Sequence, residues 1–203
     1  MGKKLLSTFV LVISVIFVSG CFDENSGNKG NIRFSAKVIN NQSKSIDMKN
    51  GVVVDEYNVI FQKVELGNSE SDKFTLWENS TGETKNIAAE NGVEFENIKE
   101  ISEGKYKFCR ITINRDIKLK GSYNGTAGTA DVKVSGNFST TSDQAVFLFG
   151  TESTQATGKY LLTESIEIKD DTEMALLFNI FETVIYSNGI KLLPPTLTIT
   201  VKN

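Results

Sequence analysis

The sequence predicts an all-β fold, an antiparallel sandwich or barrel, on three observations. Apolar residues recur with a period of two rather than 3.6 along most of the chain. The chain is rich in Thr, Val, Ile and Phe, residues that suit a pleated, half-buried surface. Turn dipeptides punctuate the apolar runs at Asn50-Gly51, Asn91-Gly92, Glu103-Gly104, Asn124-Gly125 and Asn188-Gly189. Many short strands separated by such turns are the pattern of stacked or closed antiparallel sheets.

Taken in order, Ile32, Phe34, Ala36 and Val38 share one face of a first strand. From Tyr57 to Leu66 apolar residues occupy both parities, which calls for a register-changing bulge or burial on both faces. Val132, Val134 and Phe138 alternate with Asp131, Lys133 and Ser135. The tract 121–130 is poor in large side chains and reads as a loop between strands. Tyr160, Leu162, Ile166 and Ile168 form a stripe interrupted by Glu164. The run 174–181, MALLFNIF, is apolar on both faces and reads as a central strand rather than a short helix. Leu197, Ile199 and Val201 alternate with threonines near the end.

The N-terminus is of another kind. Lys3 and Lys4 precede an uncharged run from Leu5 to Val18. As a helix this run reaches about 21 Å at roughly 1.5 Å per residue, short of a hydrocarbon core of about 30 Å. A signal peptide fits better than a membrane span. The run ends in Val18-Ser19-Gly20-Cys21, which resembles the lipobox of bacterial lipoproteins. The resemblance implies cleavage before Cys21 and a diacylglycerol on its thiol, with Val18, Ser19 and Gly20 as the recognition residues. One acyl chain holds a protein to a membrane only marginally, at about 0.8 kcal/mol per buried methylene, whereas several chains on one Cys hold it durably. Residues 21–30 are polar and read as a flexible tether. Phe22 rather than Asp after the lipidated Cys implies the outer membrane where the source has one, and otherwise the outer face of the cytoplasmic membrane.

Residues 31–203 read as a single domain with no internal repeat. With Cys21 lipidated, Cys109 stands alone and no internal disulfide can form. The chain has no His, which removes Ser-His-Asp and Cys-His nucleophile systems and His-liganded zinc. A net charge of −3 without a basic run argues against nucleic acid as a partner.

The segment GKYKFCRITI, 104–113, resembles the G-x-Y-x-x-I-R-L-x-I signature of an uncharacterised family of bacterial and archaeal surface lipoprotein domains. Gly104, Tyr106, Arg110 and Ile113 match, while Cys109 stands for Ile and Ile111 for Leu. The segment 57–66, the tryptophan strand around Trp77 with its Asn91-Gly92 turn, and Phe178–Val201 resemble that family's other strands. The resemblance implies a β-sandwich of immunoglobulin/transthyretin-like or carbohydrate-binding-like form, and no activity.

Individual residues sharpen this only a little. Cys109 shares a face with Ile111 and Ile113 and reads as a buried small hydrophobe. Arg110, on the opposite face, either pairs with a carboxylate of a neighbouring strand or binds an anion. Trp77 and Tyr123 are the candidate ligand contacts, since an exposed ring can stack on a sugar. Asp170, Asp171 and Glu173 offer oxygen donors at a turn, but the calcium-loop pattern is absent. No catalytic residue, cofactor or metal is assigned. The expected function is a non-catalytic binding or adhesion role, toward a glycan or an envelope protein, on a membrane reached through the N-terminal lipid. The alternative is a structural or accessory subunit of an envelope assembly, and the third reading is a carboxylate-dependent hydrolase.

Overall fold

The computed structural model describes residues 28–39, 45–48, 51–134, 143–151, 159–181, 183–186 and 190–203. The lipobox residues Val18, Ser19, Gly20 and Cys21, most of the tether, Phe138 and the Asn188-Gly189 turn lie outside them. Among the described residues the chain is all β, with no α-helix, and its sheets pack together as a sandwich.

The larger sheet is organised around β4 (Val52–Gly67), a strand of 16 residues. One edge of β4 pairs with β3 (Ile46–Asp47) and then β5 (Lys73–Asn86). The other pairs with β10 (Asp116–Tyr123) and then β9 (Phe108–Asn114), which follow each other in sequence. Beyond them, β11 (Thr126–Lys133) lies beside β10 and β12 (Gln144–Gly150) beside β9, and β13 (Lys159–Leu161) adds to β12. The sheet therefore has two halves sharing one strand. Arg115 spans the fork: its side chain donates to the Val134 carbonyl at 2.7 and 3.1 Å, and its amide donates to the Asp143 carbonyl.

The smaller sheet has the order β18 (Thr196–Lys202), β15 (Thr172–Asn179), β2 (Ile32–Val38), β6 (Val93–Glu94). Three two-stranded pairs complete the fold: β1 (Lys29–Gly30) with β7 (Ile101–Ser102), β8 (Gly104–Tyr106) with β14 (Ile166–Ile168), and β16 (Val184–Tyr186) with β17 (Ile190–Leu192). The all-β sandwich of the sequence reading holds. Two pairings, β2 with β15 and β12 with β13, are parallel rather than antiparallel.

The mixed parity of β4 has a simple cause. Val52 and Val54 face the core, then Tyr57, Val59 and Phe61, then Val64 and Leu66. The inward parity changes twice, and the pairing register shifts at both places: opposite Lys120/Gly121 and between Phe61 and Lys63. Each extra residue turns the strand over and bends it, so one strand lines the core along its whole length. A further shift on β5 buries both Leu76 and Trp77.

Between the sheets Phe61 meets Phe95 edge-on at 5.0 Å and Phe178 at 6.2 Å, while Phe34 and Trp77 close on Phe95 at 4.9 and 5.0 Å. Such tilted and edge-to-face pairs add about 0.5–1.5 kcal/mol each beyond area burial. The Tyr106 hydroxyl donates to the Ser102 carbonyl at 2.6 Å, a tyrosine reaching back over its own corner as in other sandwiches.

Three sequence expectations change. The tract 121–130 is not a loop but the tip of the β10–β11 hairpin, turned through Asn124 and Gly125 with φ of 46° and 81°. Positive φ at both central residues matches the twist of paired strands. The interruption at Glu164 is a true break, separating β13 from β14. Strand pairing begins before residue 31, because Lys29 and Gly30 already pair with β7.

Candidate functional site

The inner face of the larger sheet is open at the β10–β11 hairpin. The register sets Leu119 opposite Ala130, Gly121 opposite Gly128, and Tyr123 opposite Thr126, all on the face that carries Val52 and Val54. With Val184 as the far wall these residues enclose a groove of about 430 Å³, within the range of small-ligand sites, about 300–1,000 Å³. Its walls are mostly apolar, and Tyr123, Asn124 and Thr126 supply polar groups near the hairpin tip.

The two facing glycines exist for different reasons. A Cβ on Gly121 would lie 2.0 Å from the Val53 carbonyl oxygen, because the β4 bulge presses the backbones together. A Cβ on Gly128 would meet nothing within 4 Å. Packing explains the first glycine but not the second. The bare floor at Gly128 leaves a flat surface beside the half-buried Tyr123 ring. The hairpin tip is fixed by the Asn124 amide donating to the Gly51 carbonyl at 2.9 Å.

A second depression, of about 350 Å³, lies on the outer face of the other half. Glu65 and Arg110 face each other directly in the β4–β9 register. Glu65 is 7% exposed, an unusual carboxylate for an outer sheet face. It is held by Lys63 at 3.4 Å and by Arg110 Nε at 3.5 Å. The same Lys63 ammonium reaches Glu78 at 3.7 Å. Beside them Gln144 donates to Gln62 at 2.9 Å.

Of the residues singled out in the sequence, Tyr123 lines the first groove and Arg110 the second depression. Arg110 has the cross-strand carboxylate partner that its position suggested. Trp77 does not form an exposed platform: it is 5% exposed and packs edge-on against Phe95. Cys109 is fully buried, and burial, with the nearby charge of Glu65, pushes its thiol far above the ordinary value. Burial alone raises Tyr57 strongly, and raises Tyr160 to about 12, although the Tyr160 hydroxyl donates to the Pro195 carbonyl at 3.0 Å. Asp170 accepts from Asn31 at 3.2 Å, Glu173 pairs with Arg33 at 2.8 Å and Lys202 at 3.7 Å, and Asp171 holds the turn at φ 57°. Among the described residues no group of three or more His, Cys, Asp or Glu is placed to hold a metal.

Sequence reasoning missed the groove because its floor is defined by missing side chains. Only the Gly121 and Gly128 spacing around the Asn124-Gly125 turn carried a trace of it. It missed Glu65 because a charged residue in a run of mixed parity has no assigned face. No family model matches the chain, and neither a curated protein nor a solved structure matches it.

Proposed function

We propose that this chain is a lipid-anchored envelope protein, processed before Cys21, whose domain is a non-catalytic binding or adhesion module for a glycan or an envelope protein. The groove beside Tyr123 is the observation that carries the binding role: an open, mostly apolar trough with polar groups at its margin and a glycine floor that packing does not require. A ligand ring laid on Gly128 would meet Tyr123 at its side. The lipobox sequence supports the anchor.

A glycan array and an envelope-fraction pull-down test the binding role, using the full chain in non-ionic detergent. Binding of a glycan or of one envelope protein is expected, and Tyr123→Ala should weaken it by about 0.5–1.5 kcal/mol, the range for a stacked aromatic contact. A Tyr123→Ala protein that binds as wild type sinks the groove reading. For the anchor, Cys21→Ser should abolish lipid labelling and leave the signal uncut.

A structural or accessory subunit is the second reading, and β11 favours it. This eight-residue strand ends the larger sheet, and among the described residues no strand pairs with its outer edge. From Thr126 to Ala130 it carries no charge or proline to discourage pairing. Cross-linking of an Ala127→Cys variant to a single envelope protein, with no glycan bound on the array, would favour that reading.

A further inference from the structure

We propose that the outer depression built on Glu65 and Arg110 binds an oxyanion, a carboxylate or phosphate group carried on a hydroxyl-rich ligand such as an acidic saccharide. The site lies on the opposite face of the sheet from the Tyr123 groove and in its other half, so it stands or falls independently of that groove.

The reason lies in how little Arg110 is used. A guanidinium that serves to neutralise a carboxylate frequently does so with two parallel N–H bonds. Arg110 instead approaches Glu65 through Nε alone, at 3.5 Å, and that Nε is shielded from solvent without a hydrogen bond. Among the described residues Glu65 is the only charged partner of Arg110, and its Nη groups are left with donors for a further acceptor. The side chain is 30% exposed at the depression, so those donors are within reach of a ligand.

The charges around it are arranged to hold it there. Glu65 is buried beneath the depression and shares its two oxygens between Lys63 and Arg110. Its field keeps both cations turned toward one point. Lys73, whose ammonium also donates to the Glu70 carbonyl, brings the cations lining the depression to three against two carboxylates, Glu65 and Glu78. In an acidic chain this is a local positive excess. Thr112 and the Gln62–Gln144 amide pair provide hydroxyl and amide groups at the same surface, suited to sugar hydroxyls. The floor is rigid, because three paired strands, β4, β9 and β12, supply it.

Titration calorimetry on the full chain in non-ionic detergent tests this with three probes: polygalacturonate, uncharged dextran and inorganic phosphate. Polygalacturonate should bind and dextran should not. Arg110→Gln should weaken polygalacturonate at least about tenfold, the loss of a charge-assisted hydrogen bond. Lys73→Ala leaves the Glu65 pair intact, and a smaller loss is expected there. Phosphate that competes with polygalacturonate assigns the site to oxyanions in general, and phosphate that does not compete narrows it to carboxylates. The proposal is overturned if neither anionic probe binds, if dextran binds as well as polygalacturonate, or if Arg110→Gln with a wild-type circular dichroism spectrum binds unchanged. Should Arg110→Gln fail to fold, unchanged affinity in Lys73→Ala overturns it.

Discussion

The two halves of the larger sheet share β4 and differ in how they are covered. In the half built with β5, β9 and β12, the inward residues Phe61, Val64, Ile111, Ile113 and Phe147 are fully buried, and the outer face carries the Glu65 ion cluster. In the half built with β10 and β11, Leu119 and Val54 are buried near the centre, but Thr126 to Thr129 are exposed and the inner face ends in an open groove. One continuous strand thus runs from a packed core into a surface with room for something else. The core is closed along one stretch of this backbone and open along the other.

The largest effect should mark the covered half. Phe61→Ala removes a ring from the aromatic cluster and should cost about 3–5 kcal/mol, against about 2 kcal/mol for Leu119→Ala beside the groove. Urea denaturation of both variants checks this, and equal losses would erase the distinction between the halves. The facing glycines give a finer comparison. Gly121→Ala forces a methyl into the Val53 carbonyl and should cost about 1–3 kcal/mol, whereas Gly128→Ala should stay within about 0.5 kcal/mol of wild type. If Gly128→Ala is stable yet loses ligand, the floor serves binding; if it destabilises as much as Gly121→Ala, the floor is packed after all.

Burial should also set the response to alkali. Cys109, Tyr57 and Tyr160 have thiol and phenol groups raised by burial above ordinary values of 9.0 and 10.0. A raised acid stays protonated in the folded chain while the unfolded chain releases its proton. Stability from these groups is therefore complete below about pH 9 and falls as pH rises through the unfolded values, by about 1.4 kcal/mol per pH unit for each group. The melting temperature should hold to about pH 8.5 and then decline, and Cys109→Ala should move the onset up toward about pH 10. The smallest effect belongs to the open half's surface. Glu56 lies below its usual range because of its hydrogen bond from Asn58 and its contact with Lys120 at 2.9 Å. Both side chains are exposed, so Lys120→Ala should leave the denaturation midpoint unchanged.

Much of the fold was legible because its strands alternate cleanly. The stripes at 32–38 and 197–201 became strands, and of the two readings of the double-parity run at 57–66 the register shift is the one found. The β10–β11 hairpin was illegible for a physical reason: β11 is exposed on both faces over half its length, so nothing in its burial forces an alternating pattern. Backbone pairing and the Asn124-Gly125 turn hold it, and neither leaves a hydrophobic signature. The parallel β2–β15 pairing joins residues some 140 positions apart, beyond the reach of local pattern. Tyr123 was picked out for sitting among glycines, and the groove lies there. Trp77 was picked out for being the only tryptophan, and rarity says nothing about which way a ring points.

The pairing of β2 has a mechanical consequence. From Ile32 to Val38 this strand is clamped along its length by β15, and β6 pairs with it at Ser35 and Ala36. A pull on the chain from its N-terminal side first meets the two-residue β1–β7 contact, which has few hydrogen bonds to resist it. Behind it the tension runs along the axis of β2, so the bonds to β15 are loaded together in shear instead of being peeled one after another.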